Sequence, residues 1–178
     1  MVVVRRLLPL ALLAGLLLLR LSAVAAAPEY QVKAAFLYNF ARFVEWPPDV
    51  VERHPTFRIC VMGEDPFGTT LVETVRGKTV LDRPVEIGHP DTTGELAECM
   101  IVFVPGSESA ELPRLIAALA GSSALTVGET DGFAYDGGII GMRVEAAKVR
   151  FEVNADAAQR ARLKISSQLL KLATRVIQ

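Results

Sequence analysis

Met100-Ile101-Val102-Phe103-Val104 is an unbroken apolar run closed by Pro105 and Gly106. A run this short, greasy on both faces of the pleat, reads as a central parallel strand buried on each side. Its neighbours repeat the theme. Phe57 to Met62 is a strand ending at Gly63, and Arg83 to Ile87 and Ala124 to Val127 are further strands. Between them lie helical segments. Asp65-Pro66 supplies an N-cap and a first-turn proline for a helix reaching about Val75, and Ser107 caps another that runs to Ala120.

After Val127 the rhythm changes. Ile139 to Val144 and Val149 to Val153 form two strands joined by a turn at Ala146-Ala147, and from about Asp156 the chain reads as helix to its end. Strand–helix alternation followed by a hairpin and a helix predicts an α/β fold. The expected form is a three-layer sandwich: a mixed, mostly parallel sheet, helices on both faces, and a C-terminal β-hairpin plus helix. No repeat or linker divides it.

The first 27 residues are set apart. Arg5 and Arg6 precede the apolar stretch Leu7 to Leu19, and Ala25-Ala26-Ala27 offers a small-residue cleavage site. Thirteen apolar residues fall short of the ~20 that span a bilayer, and Arg20 follows at once. Residues 1–27 are therefore expected to be a cleaved signal peptide, and residues 28–178 a single exported domain in the periplasm. Without the leader the chain carries 16 basic against 20 acidic residues, which gives no general attraction to nucleic acid. In an oxidising compartment the two cysteines, Cys60 and Cys99, predict one disulfide, with buried free thiols as the alternative.

Catalytic and cofactor patterns are weak throughout. His54 and His89 each precede a proline and lack any Glu-x-x-His or Cys-x-x-Cys partner. Gly106-Ser107-Glu108-Ser109 lacks the second glycine of a hydrolase elbow. Gly63 to Gly68 follows a strand as a phosphate loop would, yet Glu64 and Asp65 would repel an anion there. Gly137-Gly138-Ile139-Ile140-Gly141 leads into a strand, so turn chemistry explains it. The expectation is a non-enzymatic protein with no cofactor and no metal.

The ends of the domain carry the interaction signal. Val32, Phe36, Phe40 and Phe43 share one arc of a helix that Trp46-Pro47-Pro48 terminates, and this aromatic stripe reads as core. Trp46 either closes the bottom of that core or protrudes as an anchor. On the expected last helix, Ala158, Ala161, Ile165, Leu169, Leu172 and Val176 suit packing on the sheet. Leu163, Leu170 and Ile177 make a second stripe at seven-residue spacing, beside a basic strip of Arg160, Lys164, Lys171 and Arg175. A helix on a sheet needs one apolar face. The second stripe calls for the N-terminal helix, a second copy of the chain, or a different protein.

These end motifs resemble the YfiR-like family of periplasmic regulators. The likeness lies in Tyr30 to Pro47, Ile59-Cys60-Val61-Met62-Gly63 with Pro66-Phe67-Gly68, and Cys99 ahead of Ile101 to Val104. It continues in Gly141-Met142, Val149 to Asn154, Leu163-Lys164-Ile165-Ser166-Ser167 and Leu169-Leu170. The resemblance implies a Cys60–Cys99 bridge. It implies a periplasmic repressor that binds the sensory domain of an inner-membrane diguanylate cyclase, lowers cyclic-di-GMP and biofilm formation, and is sequestered by a second envelope protein. The later cysteine pair of some members is missing, so redox sensing that depends on it is not carried over. Partner-binding residues are expected at Trp46, Leu163, Ser166, Ser167, Leu170, Lys171 and Ile177, with a homodimer as a further use of that surface. The rival expectation is a small-molecule sensor serving another membrane transducer, its pocket at the carboxyl ends of the strands.

Overall fold

A computed structural model describes residues 29–178; the expected signal peptide lies outside the described residues. The chain is helical over 29–43 (α1) and runs into β1 (Val44–Glu45) and α2 (Pro48–Arg53). Then come β2 (Phe57–Val61), α3 (Thr70–Val75), β3 (Thr79–Val80), β4 (Arg83–Gly88) and β5 (Ile101–Val104). After these follow α4 (Leu112–Leu119), β6 (Leu125–Gly128), β7 (Ile140–Glu145) and β8 (Lys148–Asn154). Four short elements close the chain: α5 (Ala155–Arg160), β9 (Lys164–Ile165), α6 (Ser167–Leu172) and β10 (Arg175–Ile177).

Eight strands make one sheet in the order β10-β8-β7-β6-β5-β2-β4-β3. Strands β4, β2, β5, β6 and β7 are mutually parallel, while β8 runs against β7 and β3 against β4. Strands β5 and β6 are buried along their whole length, as apolar central strands must be. On one face α1 packs through Ala34, Leu37, Phe40 and Ala41 onto Ile59, Ile101, Phe103 and Phe151. On the other, Leu112, Leu115 and Leu119 of α4 close over Val102, Val104 and Phe133. The fold is the three-layer α/β sandwich with a mixed, mostly parallel sheet that the sequence predicts.

Three local expectations are corrected. The helix stripe turns: Phe40 is buried, Phe36 and Phe43 are half-buried, and Val32 is exposed. Ala34 and Ala41, too small to hold the helix off, bring Leu37 to the centre of the contact instead. The helix expected from Ser107 starts at Leu112, because Pro113 has no N–H and fits only a first turn. Residues Gly106–Glu111 form 3-10 turns instead.

The third correction is the largest. The continuous terminal helix does not exist. Asn154 caps α5, its Oδ1 accepting the Ala157 N–H at 2.8 Å. The helix then ends in a Schellman motif: Leu163 N–H donates to Ala158 O and Arg162 N–H to Gln159 O, each at 2.9 Å, with Arg162 at φ +61. Leu163 turns inward as a result. Strand β9 pairs antiparallel with β1, and β10 pairs parallel with β8 through Arg175↔Glu152 and Ile177↔Asn154.

Candidate functional site

The seven residues expected to meet a partner are divided by this geometry. Trp46 is 6% exposed and sets its ring edge-on to Phe57, centroids 5.1 Å apart. Leu163 is 4% exposed and belongs to the main core. Both are structural, so a docking role for them is corrected. Ser166 caps α6, its Oγ accepting the Leu169 N–H at 3.2 Å. Leu170 and Ile177 are half-buried, whereas Ser167 and Lys171 are exposed.

Those four lie on α6 and β10 at one edge of the sheet. Thr174 ties the segment down, its N–H and hydroxyl both donating to Phe151 O at 2.8 and 3.0 Å. Two residues that the helical wheel assigned to the sheet-packing stripe stand out instead: Leu172 is 69% exposed and Val176 38%. No helical spacing could have found them, since they sit on different elements. Arg175 donates to the Tyr135 hydroxyl, and that bond raises the pKa of its guanidinium.

The same side of the molecule carries an apolar groove of about 610 Å³ between α1 and the β7–β8 hairpin, lined by Val32, Phe36, Val144 and Val149. Phe36 meets Phe151 with centroids 5.6 Å apart, and the Phe151 carbonyl anchors the β10 strand. Of the large apolar side chains exposed among the described residues, Val32, Tyr135, Val144, Leu172 and Val176 belong to α1, the β6–β7 connection, the β7–β8 hairpin, α6 and β10, while Val72 and Leu81 lie on α3 and at the β3–β4 turn. Leu172 and Val176, exposed on neighbouring elements at the sheet edge, are candidates for an interaction face.

The carboxyl ends of the parallel strands look different. Strand order reverses between β2 and β5, the crevice where doubly wound sheets hold ligands. Here the chain fills it. Gly63 turns at φ +60, and the Glu108 side chain lies directly over it. The buried Lys33 ammonium is paired with both Glu29 and Glu129. Glu129 also accepts from the Tyr30 hydroxyl at 3.1 Å and the Gly106 N–H at 2.9 Å. Burial, followed by the Glu129 charge, pushes the Tyr30 phenol well above its ordinary pKa. Tyr30 in turn packs edge-on to Phe67, and Phe67 on Phe103. The pocket that the small-molecule reading placed at these strand ends is occupied by the protein's own side chains.

The histidines stay apart. His89 Nε2 is 2.9 Å from Asp65 Oδ2, and His54 faces the carbonyls of Val50 and Ala97. Among the described residues no group of three or more His, Cys, Asp or Glu side chains could hold a metal ion. Cys60 on β2 and Cys99 just before β5 are joined as a disulfide, with Cα atoms 5.8 Å apart and both residues buried.

Two solved structures show similarity to part of the chain. One is described as an ABC domain in complex with L-Trp from Streptococcus pneumonia (16% identity, TM-score 0.49), covering 68% of this chain and 55% of that one. The other is a conserved domain protein from Vibrio cholerae (11% identity, TM-score 0.49), covering 67% of this chain and 54% of that one. The chain thus spans about half the length of each. The YfiR/HmsC-like family matches far more extensively, over residues 30–174. That span runs from the first turn of α1 to Thr174 at the foot of β10 and includes the disulfide, the hairpin and the α5–α6 segment. The protein belongs to the YfiR/HmsC-like family of periplasmic regulators.

Proposed function

We propose that the protein is exported through its leader and represses an inner-membrane diguanylate cyclase by binding that enzyme's periplasmic sensory domain. Repression lowers cyclic-di-GMP and with it biofilm formation, and the protein performs no catalysis itself. Family membership supports the regulatory reading. The observation that carries the mode of action is the exposed apolar α6–β10 edge.

On this reading Leu172 and Val176 are the anchors, with Ser167, Leu170, Lys171 and Ile177 around them. Exposed apolar side chains that a partner can seal from water carry most of the energy in such contacts. An envelope protein that covers the same edge would release the cyclase, and a second copy of the chain is the competing occupant. Trp46 and Leu163 belong to the core and do not meet the partner directly.

Deleting the gene and measuring cellular cyclic-di-GMP tests the reading. The level should rise, and the wild-type gene should restore it. Leu172→Asp and Val176→Asp change exposed positions, so both should fold with the wild-type melting temperature and fail to restore repression. An unchanged cyclic-di-GMP level on deletion removes the cyclase. Full repression by both variants removes the edge as the docking surface.

The second reading, a small-molecule sensor for another transducer, keeps one support. A pocket away from the filled crevice has the right character.

A further inference from the structure

That pocket lies between the C-terminal end of α4, the amino-terminal ends of β6 and β7, and α5. Its volume is about 170 Å³, the size that accepts a single benzene-type ring. Ile116, Leu119, Ala124, Ile139, Ala157 and Ala161 make most of the wall. Gly137, at φ +103, forms part of the lining where a Cβ would stand 3.2 Å from Ile116 Cγ2, so glycine keeps that wall from crowding inward.

Besides Ser122, whose hydroxyl already donates to Leu119 O at 2.8 Å, two polar side chains interrupt the apolar lining. Thr126 is 5% exposed, and its Oγ1 accepts the Ile139 N–H at 2.9 Å. Its own hydroxyl proton finds no acceptor among the described residues. A buried donor left open beside a cavity is disfavoured unless something in the cavity takes the bond. The second group is Arg160, exposed and lining the same pocket. Arg53 and Arg162 share Asp49, and Arg143 pairs with Glu145 and Glu152. Arg160 makes no ion pair among the described residues.

We propose that this pocket binds a small aromatic acid whose ring bears an oxygen away from the carboxylate. The ring lies among the alanine and isoleucine side chains, the ring oxygen accepts from Thr126, and the carboxylate pairs with Arg160. An open donor within and a free guanidinium alongside select for such a molecule over a plain hydrocarbon or an amine. The inference does not depend on which protein meets the α6–β10 edge.

Titration of the oxidised mature protein with 4-hydroxybenzoate, followed by calorimetry and thermal unfolding, tests this. Saturable binding and a rise in melting temperature are expected at millimolar concentrations, with 4-hydroxybenzamide about tenfold weaker because it lacks the charge. Arg160→Gln, an exposed change that leaves the fold alone, should erase the acid's advantage over the amide. Ala161→Leu, at a half-buried wall position, should abolish binding of both. No saturable binding by 4-hydroxybenzoate overturns the proposal, as does equal binding by wild type and Arg160→Gln.

Discussion

Lys33 sits on α1 almost wholly buried, yet its ammonium is satisfied by Glu29 one turn back and by Glu129 from the far side of the chain. A buried cation is tolerable only on such terms, and losing either partner would leave a charge stranded. The Glu29–Lys33 spacing is legible in the sequence. Glu129, 96 residues away, is not. The Tyr30 phenol above Glu129 has its pKa raised in the folded state, while in the unfolded chain it ionises near 10.0. Raising the pH past that value strips the proton from the unfolded state first, so the unfolded state gains and stability falls. Below it both states hold the proton and Tyr30 contributes no slope. The expected outcome is that wild type loses urea resistance above pH 10 faster than Tyr30→Phe does, measured as paired denaturation midpoints on either side of that pH.

At the scale of elements, apolar strands were the easiest to read. Phe57 to Val61 and Ile101 to Val104 lie where their runs place them, because a strand buried on both faces leaves a local signature, and the β7–β8 hairpin lies where its two runs and the turn at Ala146-Ala147 place it. Segment 155–178 misleads because its spacing suits a helix throughout. No glycine or proline warns of the break. Arg162 takes the left-handed conformation usually left to glycine, while its guanidinium is held by the Asp49 carboxylate at 2.6 and 3.2 Å. That contact also keeps Asp49 below its usual carboxylate pKa. Leu163 gains a core position from the bend. Arg162→Gly should therefore keep the melting temperature within about 3 °C, since relief of backbone strain offsets the lost contact. Arg162→Val, whose β-branched side chain tolerates positive φ poorly, should lower it by about 5 °C or more.

Across the whole molecule, the disulfide links β2 to the chain two residues ahead of β5, and these adjacent strands lie on either side of the point where strand order reverses. Gly88 on β4 pairs with Cys60 on β2, and a Cβ there would stand 3.3 Å from the Cys60 Sγ, so a glycine from a third strand leaves the bridge uncrowded. With the cysteines 39 positions apart in the chain, loop closure alone contributes about 4 kcal/mol on the chain-entropy account. The double variant Cys60→Ala, Cys99→Ala should lose about 3–4 kcal/mol in urea titrations while keeping its far-ultraviolet spectrum. Retention of full stability would show that packing alone holds the β2–β5 seam.

The amino-acid order by itself determined the strands, the layering and the family, because each rests on short-range periodicity or on motifs that need no knowledge of the fold. Tertiary structure decided the rest. Whether Trp46 is buried, which face of α1 meets the sheet, and how residues 155–178 divide all depend on partners distant in the chain. A helix-like pattern is only a weak preference, and the open β8 edge offered β10 hydrogen bonds that a longer α5 would have forgone.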